Sequence, residues 1–192
     1  MIDPLVDLAE IGLQPLPAPA VALLRHRNPP PRLVAHLALV HDVAWRILDA
    51  LVQRWPTLVI DADSVRFGAA THDLGKLIHP HELTGPGQQH AADGPALLIV
   101  AGVDPQHARF SATHRTWRTQ PVAIEDLIVA LADTCWKGSR DAVLEQQVIA
   151  YIQVVQPEEP WETMLFVDQL VEDLAVGADA RLAWQAQFSP LV

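Results

Sequence analysis

The chain has 192 residues, half of them hydrophobic and 19% charged, a composition that forms a buried core and excludes an extended, disordered polymer. Its formal net charge of -10 argues against long nucleic acid held on a general basic surface. A single cysteine, Cys135, excludes an internal disulfide and any zinc site built from several cysteines.

From the N-terminus, "MIDPLVDLAE" lacks the basic-then-apolar order of a secretory signal. No apolar run is long enough to span a bilayer, so the expected setting is the cytoplasm, away from membranes. A short helix is expected near 4–12. The proline-rich stretch 15–31 reads as an irregular lead-in, and Pro29-Pro30-Pro31 sets the start of a long helix over 32–54. Its apolar residues Leu33, Leu37, Val40, Ala44, Ile47 and Leu51 recur at helical spacing, and Trp55-Pro56 ends it. The run "TLVI" at 57–60 reads as a connector. A helix over 63–74 follows, capped by Asp61 or Asp63 and closed by Gly75. Residues 79–93 read as a loop, with further helices over 94–102, 105–116, 121–136, 140–155 and 161–176. The fold class is all-α.

Two His-Asp doublets compete for attention. Asp73 ends a helix whose body, "VRFGAA", is mostly small and apolar. A carboxylate there faces the negative end of the helix dipole and, if buried, needs a strong partner. His41-Asp42 drifts toward the polar side of its helix with Arg46 and Asp49 and reads as a solvated edge doublet, whereas His36 lies nearer the centre of the apolar stripe. Downstream, His90 opens an apolar segment, His114 lies near the end of another, and Asp133 sits among Ile128, Val129 and Leu131. Each alone reads as structural. Together, four imidazoles and two carboxylates from separate helices suit one or two iron, manganese, zinc or similar ions. His79, His81 and Glu82 fall in the loop, where they either line an entrance or are simply exposed. Trp117 and Trp136 read as core residues, with stacking on a nucleobase as the other reading.

The order His36, "HDLGK" at 72–76, His90 with Gly94 behind it, His114 and "ALAD" ending at Asp133 resembles the HD-domain superfamily of metal-dependent phosphohydrolases. The resemblance covers about 33–140 and implies an all-α HD-domain helical bundle, expected to fill 1–192 as a single domain. It implies His36, His72, Asp73 and Asp133 as ligands of one metal. It implies His90 and His114 as ligands of a second, with Asp73 bridging. This subset is similar to the diadenosine-tetraphosphatase-like and HD-GYP-like branches. The GYP signature is absent, and Thr113-His114-Arg115 stands where HD-GYP enzymes carry paired histidines, so cyclic-di-GMP is not the expected substrate.

The activity implied is hydrolysis of a phosphomonoester or phosphodiester of a nucleotide or other small phosphorylated substrate, through a metal-bridging hydroxide. Iron or manganese is the first expectation; zinc, nickel, cobalt and magnesium fit the same donors. Asp73 and Lys76 are the candidate catalytic residues, and Lys76, Arg115, Arg118, Lys137 and Arg140 the candidate phosphate contacts, each with a plain reading as a solvated or salt-bridged cation. Two other readings use the same residues: an HD-type di-iron oxygenase and a non-catalytic HD-like signalling module. Residues 141–192 supply two amphipathic helices that either complete the bundle or form a homodimer face.

Overall fold

Prolines set where the first helices begin. The computed structural model describes residues 5, 8, 11–156 and 158–190, so most of the helix expected near 4–12 lies outside the described residues. The stretch expected to be irregular contains a helix, α1 (Ala18–Arg27), with Pro17 at its cap and Pro19 in its first turn. A proline costs nothing there, because the first N–H groups of a helix have no intrahelical acceptor. Asn28 ends α1 in the left-handed conformation, with φ 48°. Pro30 and Pro31 then open α2 (Pro31–Arg54), as expected. Residues 57–60 form no strand.

Helix α2 is the central rod, 24 residues and about 36 Å long. It packs against α3 (Ala62–Thr71) on one side and α7 (Ile124–Cys135) on another. Asp61 caps α3 by accepting from the Ser64 N–H at 3.0 Å. The chain then tightens into a 3-10 turn over Leu74–Leu77. A second such turn covers Pro80–Leu83, inside the expected loop. Helix α4 (Gln89–Val100) begins five residues before the expected 94, so Gly94 and Pro95 lie within it and do not delay it. The expected helix over 105–116 is two pieces, α5 (Pro105–Ala108) and α6 (Phe110–Thr116), meeting at Arg109.

The remaining helices are α8 (Ala142–Val155), α9 (Pro160–Val176) and α10 (Ala178–Gln185). Helix α10 was not expected; it folds back on α2 and α9. The larger apolar cluster is built mainly from α2, α7, α8 and α9, with Ile47, Ile128, Leu144 and Val171 buried in it. A second cluster joins α1, the first turns of α2, and α4 through Leu24, Leu37 and Leu98. Among the described residues there is no strand, and no helix is long and apolar enough to cross a membrane.

One expectation about α2 is wrong. His41 and Asp42 are not a solvated doublet: they are 0% and 1% exposed. Periodicity places them off the main stripe, but α2 is covered on that side too, by α3 and the segment before α1. Asp42 accepts from the Gln14 backbone N–H at 3.1 Å and from Arg46 Nε at 2.7 Å, tying the lead-in to the rod. Neither ring nitrogen of His41 meets a hydrogen-bond partner. Burial, helped by the Arg66 charge, pulls its pKa from 6.5 down to about 4. As pH falls through that window the unfolded chain takes up a proton that the folded chain excludes. This contribution to stability is therefore full above pH 6.5 and declines toward pH 4. His41→Leu removes both the window and the unpaired nitrogens. Urea denaturation at pH 7 and pH 5 should show a loss of stability about 2 kcal/mol smaller in the variant. Equal losses would show that His41 does not titrate in this way.

Candidate metal centre

The site begins where α3 stops being a helix. His72 is its last, capping residue, and Asp73 stands at the head of the 3-10 turn, out of line with the helix axis. His72 is 0% and Asp73 2% exposed. Around them come His36 from the second turn of α2, His90 from the first turn of α4, His114 from α6, and Asp133 from the last turn of α7. Asp133 is the one with an opening to solvent, its side chain 18% exposed.

Two glycines permit this convergence. Gly75 stands past the end of α3 as expected, but its φ is not positive. Its role is close approach: a Cβ there would stand 2.1 Å from the His90 carbonyl oxygen and 3.0 Å from Gly94 Cα. A Cβ on Gly94 would stand 1.9 Å from Ser111 Oγ. That hydroxyl donates to the His72 carbonyl at 2.7 Å. The turn after α3 thus meets α4 backbone to backbone, and Gly94 lets the Ser111 side chain of α6 close in on both, which brings three of the four imidazoles to one point.

Asp73 divides the cluster. Its Oδ2 lies 3.1 Å from His36 Nε2 and 3.8 Å from His72 Nε2, and also receives Lys76 Nζ. Its Oδ1 lies 3.1 Å from His90 Nε2 and 3.6 Å from His114 Nε2. Asp133 Oδ1 is 3.4 Å from His36 Nε2 and 3.5 Å from His72 Nε2. These are short separations without hydrogen-bond alignment: all four Nε2 atoms are buried and lack a partner.

The opposite ring nitrogens explain why. Nδ1 of His72 faces the Ala69 carbonyl and Nδ1 of His114 the Phe110 carbonyl, each at 3.0 Å. A carbonyl only accepts, so the ring proton sits on Nδ1, and Nε2 of the neutral ring is a bare lone pair. At His90 the Glu82 carboxylate fills the same place. Glu82 also accepts from the backbone N–H groups of Gln89 and His90, at 2.8 and 3.1 Å, and so caps α4. Burial works against its ionisation, but the bonds from His90 and these N–H groups outweigh it and hold the carboxyl at about 2.

Lone pairs facing carboxylate oxygens repel unless a proton or a metal ion stands between them. Burial lowers the pKa of His36, yet the carboxylates of Asp133 and Asp73 outweigh it and raise the value, so His36 is the ring that takes up a proton. His114 stays neutral, pulled down to about 3 chiefly by burial. Asp73 and Asp133 remain ionised: burial opposes this, but the imidazoles, and Lys76 for Asp73, hold both well below the usual carboxylate range. Two ligands about 2.1 Å from one ion stand about 3.0–3.4 Å apart at octahedral or tetrahedral angles. The contacts of His36 and His90, at 3.1 to 3.4 Å, fall in that range, while His72 and His114, at 3.5 to 3.8 Å, stand slightly beyond it. His36, His72 and Asp133 form one group able to hold an ion, and His72, Asp73 and His114 another.

A cavity of about 390 Å³ opens over the first group. His36, Asp73 and Asp133 contribute to its floor, and Lys76, Arg115, Lys137 and Arg32 to its walls. Arg118 and Arg140 do not line it. Arg118 pairs with Asp141 and lies over Trp117, while Arg140 pairs with Glu145 and Asp168. His79 pairs with Asp93 at 2.8 Å, and His81 is exposed. Sequence reasoning missed Arg32, hidden beside the proline run, and expected Glu82 at an entrance or exposed, whereas it is buried against His90. The spacing from Glu82 to His90 carries no periodic signal, because a turn intervenes.

No protein-family model matches the chain, and neither do any curated protein or solved structure. The geometry therefore carries the functional reading, and Gly75 tests whether close packing builds that geometry. Gly75→Ala should destabilise the fold by about 1–3 kcal/mol, because the His90 carbonyl is backbone and cannot swing aside. An unchanged denaturation midpoint would contradict the packing described.

Proposed function

We propose that the chain is a metal-dependent phosphohydrolase of HD-domain type, a single helical domain holding two metal ions on either side of Asp73. One observation carries the reading: four buried, unpartnered Nε2 atoms and two ionised carboxylates converge beneath a cavity lined by cations. Structural histidines in a core are normally hydrogen-bonded at both ends or exposed at one. Four with the same nitrogen unpartnered, aimed at shared carboxylates, match ligands awaiting an ion. The donor set, imidazole and carboxylate without sulfur, fits iron, manganese or zinc.

Bound divalent ions supply Lewis acidity and a water of lowered pKa. The residues of the chain do the rest. His36, His72 and Asp133 form the ligand group nearest the cavity, and His90 and His114 the deeper one. Glu82 fixes the His90 proton on Nδ1, which keeps Nε2 free to ligate. Lys76, paired with Asp73 and partly exposed to the cavity, stands where it can meet a phosphoryl oxygen as charge builds there. Arg115 stands beside His114 and reverses the acidic character of the chain locally. Because His36 takes up a proton when no ion is present, ion binding releases that proton and weakens in acid.

Protein purified without chelators should contain up to two iron or manganese ions per chain. It should hydrolyse p-nitrophenyl phosphate or bis-p-nitrophenyl phosphate, lose activity in EDTA and regain it with the metal. Asp73→Asn should lose both metal and activity while keeping its helical circular dichroism. Hydrolysis that survives complete metal removal would overturn the reading. Oxygen uptake by the iron-loaded protein without ester hydrolysis would favour a di-iron oxygenase instead.

A further inference from the structure

The basic side chains of this acidic protein are not distributed evenly among partners. Arg46, Arg54, Arg66, Arg109, Arg118 and Arg140 each meet a carboxylate. Arg27 and Arg181 donate to backbone carbonyls, and Lys76 meets Asp73. Among the described residues, Arg25, Arg32, Arg115 and Lys137 have neither an ion pair nor a side-chain hydrogen bond. Three of these four line the cavity over the metal centre; only Arg25 lies elsewhere. In a chain of net charge -10 with 23 acidic residues, carboxylate partners are abundant. Three unpaired cations lining one cavity repel one another, and an anion of matching charge removes that cost.

Their positions follow the cluster outward. Arg32 precedes His36 by one turn of α2, about 6 Å of rise. Lys137 follows Asp133 by the same number of residues, just past the end of α7. Lys76 and Arg115 stand closer in the chain to Asp73 and His114. One phosphoryl group at the floor is served by Lys76 and Arg115, which leaves Arg32 and Lys137 as a second cationic pair farther out.

We propose that the substrate carries two phosphoryl groups, one at the metal centre and the other held by Arg32 and Lys137. This rests on the phosphohydrolase reading and narrows it to compact diphosphorylated molecules. The rest of the lining agrees. Trp136 is 6% exposed and its ring stands 5.0 Å from His36 in a T-shaped pair, so little of it is open to a nucleobase. Thr134, Ser139 and Gln185 supply polar groups, and the C-terminal segment closes one side through Pro190.

Isothermal titration calorimetry of the metal-loaded protein with inorganic pyrophosphate and with orthophosphate tests this, with metal content measured after each titration. Pyrophosphate should bind at least about tenfold more tightly, since two added charge-assisted contacts are worth that much. Arg32→Gln and Lys137→Gln should each remove most of this preference, while Arg25→Gln, a charge-matched change outside the cavity, should keep it. Equal affinity for the two anions, or a preference that survives both cavity variants, overturns the proposal. Equal affinity in a protein that still hydrolyses simple esters refutes only the diphosphate substrate. A pyrophosphate preference that depends on Arg32 and Lys137, in protein that holds no metal and cleaves no ester, refutes the phosphohydrolase reading and leaves the two-phosphoryl anion site standing.

Discussion

Asp73 is a fully buried carboxylate whose two oxygens face different sets of imidazoles, and the rest of the site depends on that division. Its Oδ2 serves the His36 side and its Oδ1 the His90 and His114 side. A buried carboxylate with one such neighbour would be an ordinary ion pair. With four, each presenting an unprotonated or unpartnered Nε2, the charge balance requires protons or cations that the side chains alone supply only in part. Lys76 provides one positive charge and His36 takes up a proton. The remaining Nε2 atoms have no partner within the chain and suit an added ion.

The framework exists to hold those groups at fixed distances. Helix α2 carries His36 through the middle of the core, and α7 brings Asp133 beside it. Gly75 and Gly94 let the turn after α3 meet α4 at the backbone, and the small Ser111 side chain joins α6 to both, so His72, His90 and His114 need no long reach. Backbone carbonyls and Glu82 then fix the ring orientations. The same preorganisation leaves the cavity side open: Asp133 is the most exposed member of the cluster, and the unpaired cations stand around it.

Much of this was legible in the sequence, and the misses have physical reasons. The all-α class and the long α2 followed from apolar spacing and the proline start. Four imidazoles and two carboxylates expected as a set do converge. His41-Asp42 was misread because a single periodic stripe implies one wet face, and α2 has none along that stretch. Helix α4 starts earlier than expected because the polar stretch 79–93, rich in His, Gly, Pro and Gln, reads as a loop, whereas its last five residues already belong to the helix. Helix α1 was read as irregular because first-turn prolines look the same as loop prolines. Arg118 and Arg140 looked equivalent to Arg115 and Lys137 in the chain; only the positions of Asp141, Glu145 and Asp168 separate the paired cations from the free ones.

The central claim is that Asp73 stands between two ions. Anomalous diffraction from crystals of the metal-loaded protein, collected at the absorption edge of the bound metal, measures this directly. The account predicts two peaks, one among His36, His72 and Asp133 and the other beside His90 and His114, with the Asp73 carboxylate between them. No peak at this cluster in protein that contains stoichiometric metal would contradict it.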